Sequence, residues 1–279
     1  MLIDTHCHLD ASEFDHDRQA VMDDARHAGV AAIVIPAVAP VNFGAVRRLA
    51  HDMPGGAYAL GIHPLLVEDV GDEALDQLRD AVKQAIGDPR FVAIGEIGLD
   101  LFVKHIASGE PLERQERFFA EQLKLAAEFD LPVLVHVRRS QDLVLKHLRR
   151  VAVCGGIAHA FNGSAQQADT FVALGLALGI GGAMTWPRAL QIRRHAARFG
   201  LEHIVLETDS PDIAPVWLHP PDNRNTPAQV AGVARDLARL RQVTVQEVIE
   251  QTGATALRQI PRLAGLPALQ DGARSTTPP

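Results

Sequence analysis

The chain has 279 residues, 47% of them hydrophobic and 22% charged, with a formal net charge of −7. That is enough for one large core, and it excludes a disordered chain. No run approaches the roughly 20 apolar residues of a membrane span. The acidic balance argues against a broad grip on long duplex nucleic acid, which needs a basic surface.

The first predicted strand is Leu2–Thr5, and it runs into Thr5-His-Cys-His-Leu-Asp10. The start lacks a basic region and a small-residue cleavage site, so no signal peptide is expected. Cys7 and Cys154 are too few for a disulfide framework, which fits a reducing cytoplasm. Further strands are predicted over Ala31–Pro36, Ala57–Ile62, Val92–Ile97, Pro132–His136, Gly156–Ala160, Leu176–Ile180 and Ile204–Thr208. These runs are nearly continuous in apolar residues, as in parallel strands buried on both faces. Between them, apolar residues at three- and four-residue intervals predict helices over Asp15–Ala28, Val41–His51, Glu73–Ile86, Leu112–Phe129, Gln141–Val151, Ala165–Leu174, Arg188–Phe199 and Pro227–Leu240. A last helix follows near Val245–Arg258. Eight strands alternating with eight helices predict an α/β fold, a TIM (β/α)8 barrel, as one hydrolase domain over residues 1–264 with a flexible tail from 265 to 279. An open doubly wound sheet is the alternative. It would not bring residues from strands 1, 4, 5, 6 and 8 to one point.

Active sites of such barrels lie at the C-terminal ends of the strands. His6 and His8 close strand 1, two apart and therefore on one face. His63 follows strand 3, Glu96 closes strand 4, His136 strand 5 and His159 strand 6, and Asp209 follows strand 8. Any one of these alone could be a satisfied core residue. Together they predict a metal centre: His6, His8 and Asp209 on one ion, His136 and His159 on a second, and Glu96 between them. Divalent ions lower the pKa of bound water to about 7, and a pair stabilises both oxygens of a phosphoryl displacement. The mixed ligands leave zinc, magnesium and manganese open. Glu96 and Asp209 are the candidate catalytic carboxylates, Asp209 as a proton acceptor. Glu207 shares the face of Asp209 and either assists the site or fills a polar layer.

Substrate contacts are expected from His63, from Arg138 in the loop after strand 5 as a phosphate clamp, from Asn162 before a helix that Ser164 caps, and from Arg224 in the Pro220–Pro227 loop. His63 and the arginines could equally serve the loops or the surface.

At these residues the chain resembles the TatD family of metal-dependent deoxyribonucleases, within the amidohydrolase-like superfamily. The matching segments include Ile3-Asp-Thr-His-Cys-His-Leu-Asp10, Gly61-Ile-His-Pro64, Gly95-Glu-Ile-Gly-Leu-Asp100, Gln115 and Gln122-Leu123, Leu131-Pro-Val-Leu-Val-His136, His159-Ala-Phe-Asn-Gly-Ser164 and Leu206-Glu-Thr-Asp-Ser-Pro211. The resemblance implies a barrel that hydrolyses DNA phosphodiesters, exonuclease-like on single strands or ends, with two divalent ions on the six residues named. Leu65, Leu101-Phe102 and Val137 depart from common family residues, as in a less characterised branch. A hydrolase of another ester or amide is the alternative function, and a non-catalytic binding protein a third. The expected partner is DNA or another phosphodiester, with no membrane; the oligomeric state is left open, a monomer being one option.

Overall fold

The computed structural model describes residues 1–221 and 223–274. Eight strands form one parallel sheet in sequential order: β1 (Leu2–Asp4), β2 (Val30–Pro36), β3 (Gly56–Leu60), β4 (Phe91–Asp100), β5 (Val133–Arg138), β6 (Gly156–Ala158), β7 (Leu176–Ile180) and β8 (Ile204–Leu206). The sheet closes on itself. Thr5 N–H donates to Leu206 O at 3.0 Å, His8 N–H to Ser210 O at 2.8 Å and Asp209 N–H to His6 O at 2.9 Å. The expected barrel is therefore present, and the open sheet is not.

Helices return the chain between strands: α1 (Arg18–His27), α2 (Phe43–His51), α3 (Glu73–Ala85), α4 (Gly109–Glu128), α5 (Gln141–Leu148), α6 (Ala165–Ala173), α7 (Leu190–Arg198) and α8 (Val230–Arg241), followed by α9 (Val245–Gln259) and α10 (Pro267–Arg274). Their buried faces and the outward strand residues make one large shell core, with Phe118, Phe119, Phe161 and Phe171 among its largest members. Asp17, Ser164 and Thr244 stand at N-caps, and the Ser164 hydroxyl accepts Gln167 N–H in a capping box.

A second, smaller core fills the barrel itself. Ile3, Val34, Ala57, Ala59, Val92, Leu134, Ile157, Ala177 and Val205 point inward. Beneath them Ile260, Leu263, Leu266 and Leu269 close the floor. This differs from the tail expected beyond residue 264. Leu266 and Leu269 are buried, because an open barrel bottom offers apolar surface that this segment covers. Of the expected tail, residues 275–279 lie outside the described residues.

Leu266→Ala is expected to cost about 2–5 kcal/mol, the range for deleting a buried leucine side chain. The urea midpoint checks it. An unshifted midpoint would mean that this segment does not seal the floor.

Candidate metal centre

Inward alternation carries the functional residues to the barrel's mouth. Ala57 and Ala59 set the parity that continues to Gly61 and His63; Leu134 sets that of His136, Ile157 that of His159, and Val205 that of Glu207 and Asp209. β1 breaks this rule. Ile3 faces the inner core, yet Cys7 and Leu9 belong to the outer one. The parity changes beyond Asp4, and His6 and His8 turn inward together with their Nε2 atoms 3.3 Å apart. Room for this polar layer comes from small residues. A Cβ on Gly61 would sit 2.7 Å from Gly95 C and 2.8 Å from Glu96 O.

Glu96 occupies the centre and is 1% exposed. Its Oε2 lies 3.2 Å from His6 Nε2 and 3.3 Å from His8 Nε2. Its Oε1 lies 3.0 Å from His136 Nδ1, 3.0 Å from His159 Nε2 and 3.3 Å from His63 Nε2. Asp209 Oδ1 completes the first side, 3.6 Å from His6 Nε2 and 3.5 Å from His8 Nε2. The six expected ligands therefore converge, together with His63.

Outer contacts decide which ring nitrogens face inward with a lone pair. His136 Nε2 is 3.0 Å from Asp100 Oδ2, an acceptor, so that nitrogen carries the hydrogen and Nδ1 is left free toward Glu96. His159 points Nε2 inward at Glu96, while its Nδ1 lies 3.7 Å from Glu207 Oε1, beyond hydrogen-bonding distance. His63 is the reverse case. Its Nδ1 accepts Leu65 N–H at 3.1 Å, so Nε2 carries a hydrogen directed at Glu96.

Lone pairs therefore confront one another at His136 Nδ1 and Glu96 Oε1, and His159 Nε2 lies 3.4 Å from the same nitrogen. Such contacts need a proton or a cation between them. His6 Nδ1, His159 Nδ1 and Glu207 Oε2 are buried with no hydrogen-bond partner. Burying unpaired polar groups is costly. The donor set of imidazoles and carboxylates fits divalent cations, and three groups have ligand atoms close enough to hold one: His6, His8 and Asp209; His6, Glu96 and His159; His63, Glu96 and His136.

Protons take the place between these groups in the absence of a cation: burial lowers His136 and His159, yet the neighbouring carboxylates, Asp100 and Glu96 for the first and Glu96 and Asp209 for the second, outweigh it and raise both above the usual imidazole range. Burial raises the Glu96 carboxyl, but the surrounding imidazoles outweigh it and hold it well below the usual carboxylate range. Burial and the neighbouring His159 push His6 down to about 3, so its ring is neutral. Burial lowers His8 as well, yet the hydrogen bond and charge of Glu96 win and raise it to about 9. Asp209 is raised by burial to about 6.

Several supporting residues carry no sequence-based expectation of a role. Asp100 bonds His136 through Oδ2 and accepts the N–H groups of Phe102 and Val103 through Oδ1. The side-chain amide of Gln115 binds Asp100 N–H and Ile106 O, and that of Gln122 binds both the N–H and the O of Ile62, pinning the loops after β4 and β3. Behind the centre, Asp4 accepts Thr208 N–H and its hydroxyl, and burial pushes Asp4 up to about 8. Two signals for Asp100 lie in the sequence: it closes the segment Gly95-Glu-Ile-Gly-Leu-Asp100, and it shares the parity of Glu96 four residues earlier.

The expected substrate residues divide. Arg138 lies at the mouth, with Nη1 3.9 Å from Asp100 Oδ2. Asn162 is exposed, and its backbone O accepts from Gln141. Arg224 is engaged elsewhere: it donates to Asp17 and to Glu13 O, tying the loop after β8 to the start of α1. That loop is anchored by buried Asn225, which donates to Thr208 O and Asp212 O. Glu207 Oε1 accepts Ala160 N–H at 2.5 Å, in addition to facing His159. Among the described residues no helix is long and apolar enough to cross a membrane.

The profile of the family described as TatD related DNase matches residues 3–260. The chain is 41% identical over 249 residues to the uncharacterized metal-dependent hydrolase YjjV of Escherichia coli, covering 89% of this chain and 93% of that protein. The crystal structure of that TatD homologue superposes with a TM-score of 0.85 at 38% identity, over 93% of this chain and 98% of the other. Human deoxyribonuclease TATDN3 is 32% identical over 271 residues, covering 95% of this chain and 96% of that protein.

Because His8 holds its proton up to about pH 9 and Asp209 ionises near pH 6, a cation entering between them must displace the His8 proton. Divalent ion uptake is expected to release protons and to tighten as pH rises from 6 toward 9. Isothermal titration in buffers of different ionisation enthalpy measures the release; pH-independent uptake without it would contradict this charge state. Asp100→Asn is expected to weaken metal binding or activity about 10–100-fold, the usual cost of losing a carboxylate that orients a liganding histidine.

Proposed function

The chain belongs to the TatD related DNase family, and from that premise and the geometry of the centre we propose that it is a divalent-metal-dependent hydrolase of phosphodiester bonds, a deoxyribonuclease acting on single strands or ends of DNA. The observation that carries this reading is the division of Glu96, one oxygen facing His6 and His8 and the other facing His136 and His159. One carboxylate spanning two donor sets suits two adjacent ions, with His6, His8 and Asp209 on one and His136 and His159 on the other. Bound there, zinc, magnesium or manganese would supply Lewis-acid stabilisation of the attacking and leaving oxygens of a phosphoryl displacement.

The chain's own groups do the rest. Asp209, ionised above about pH 6 and opening toward the mouth, accepts the proton of the attacking water at a carboxylate oxygen. The His63 Nε2–H donates into the centre and suits an anionic substrate oxygen. The Arg138 guanidinium at the rim binds a non-bridging phosphate oxygen. Glu207 holds the backbone next to His159 by accepting Ala160 N–H. Asn162 and Arg224 stand apart from this arrangement, one exposed and the other ion-paired with Asp17. The two free cysteines, Cys7 and Cys154, are consistent with a reducing cytoplasmic setting.

The test is a panel of metal-reconstituted enzyme on single-stranded DNA, duplex DNA, RNA, a generic phosphodiester and a neutral ester, each with a chelator control. DNA cleavage abolished by chelation is expected, as is a loss on the order of 100-fold or more for Glu96→Gln with the melting curve retained. Turnover confined to the neutral ester would transfer the enzyme to ester or amide hydrolysis.

A further inference from the structure

Seven large apolar side chains are well exposed among the described residues, and five of them stand between the end of a strand and the first turn of the next helix: Val41, Leu65, Phe102, Leu190 and Trp217. The exposed apolar surface therefore gathers on the mouth face. Phe102 is the most structured of these positions. It is 44% exposed, with the Arg138 Cζ 3.8 Å and the Arg139 Cζ 4.7 Å from its ring centroid. Consecutive residues of an extended strand point to opposite faces. Arg139 leaves that geometry at φ +57°, disfavoured for a residue with a side chain, and both guanidiniums reach one ring.

The charge around Phe102 opposes that of the whole protein. From Leu101 to Gly109 and from Val137 to Gln141 the sequence carries Lys104, Arg138 and Arg139 and no acidic residue, in a chain of net charge −7. Asp100, 3.9 Å from Arg138 Nη1, is buried and directed at His136. Its other oxygen accepts the N–H of Phe102 at 2.8 Å. One carboxylate thus fixes both a metal-side histidine and the base of the exposed ring, so the two hold a constant relation.

A half-exposed aromatic ring with the Arg138 and Arg139 guanidiniums lying over it offers stacking surface and positive charge together, which matches a ligand that is aromatic and anionic within a few ångströms, a nucleobase with its phosphate. We propose that Phe102, with Arg138 and Arg139, is a stacking platform for an unpaired nucleobase next to the phosphodiester held at the metal centre. This rests on the nuclease reading above and narrows it. A paired base inside a duplex offers no free π-face, so the platform selects flexible single strands or frayed ends.

The experiment uses the full chain reconstituted with manganese. It compares kcat/KM for a short single-stranded oligodeoxynucleotide with that for an abasic phosphodiester, a tetrahydrofuran-phosphate oligomer of the same length, which has no aromatic ring. A 2-aminopurine near the scissile end reports stacking as a fluorescence quench on stopped-flow mixing. Phe102→Leu keeps an apolar group but removes the π-face; Phe102→Trp enlarges it. The leucine variant is expected to lower the ratio of oligonucleotide to abasic-oligomer kcat/KM by about tenfold or more and to lose the quench, and the tryptophan variant to keep both. Leucine matching wild type in ratio and quench overturns the platform alone, with nuclease activity intact. Wild-type enzyme that hydrolyses the abasic oligomer but neither cleaves nor quenches the oligonucleotide overturns the nuclease reading, and the platform falls with it.

Discussion

A carboxylate buried at the heart of a barrel must be compensated, and Glu96 sets that condition for the whole molecule. An ionised group away from water carries a large desolvation penalty unless charge and hydrogen bonds answer it. Five imidazoles surround Glu96, and only His63 meets it with a hydrogen fixed by an outer contact. His6 is neutral, His8 carries its proton toward Glu96, and the outer contact of His136 turns its Nδ1 inward. That arrangement is poor as a protein interior and good as a cation site. The small-residue layer below the centre and the sealed floor then follow as the means of holding such a cluster in a dry, rigid frame.

The tuning is done by residues one contact further out. Asp100 and the Leu65 N–H choose the inward nitrogen of His136 and His63 respectively. Neither of these outer groups faces the centre directly. Yet without them each ring is free to present either nitrogen, and the division of Glu96 between two donor sets loses its meaning. The amides of Gln115 and Gln122 act at the next remove, standing in for the missing sheet partners of loop backbone.

Much of this was legible in the sequence, because strand parity is a rigid rule. Leu134 to His136, Ile157 to His159 and Val205 to Asp209 can be read as inward series without coordinates, and the barrel follows from eight alternations. The failures have physical causes. β4 runs on to Asp100, beyond the expected end at Ile97, because Gly98 and Leu99 pair with His136 and Val137 of β5. Asp100, an unremarkable acid in a glycine-flanked motif, becomes important only through that pairing. Arg224 was expected at the substrate, but its choice of Asp17 is a contact across more than two hundred residues that no local pattern encodes. The segment beyond residue 264 reads as a polar, proline-containing tail, and only the exposed floor of the barrel explains why Leu266 and Leu269 are buried.

β7 contributes no liganding residue, which at first breaks the pattern of its neighbours. Its inward positions are Ala177 and Gly179. A Cβ on Gly179 would stand 2.2 Å from Glu207 Oε2, so the strand's contribution is vacant space beside a buried carboxylate. Glu207 uses that space to reach Ala160 N–H, the residue after His159, which holds φ at +44°. A left-handed turn at a non-glycine residue is unfavourable unless its surroundings fix it. The acceptor from β8, admitted by the missing side chain on β7, supplies that fixing for β6. Three adjacent strands therefore cooperate in placing one histidine, and the strand without a ligand is the one that makes room for the contact.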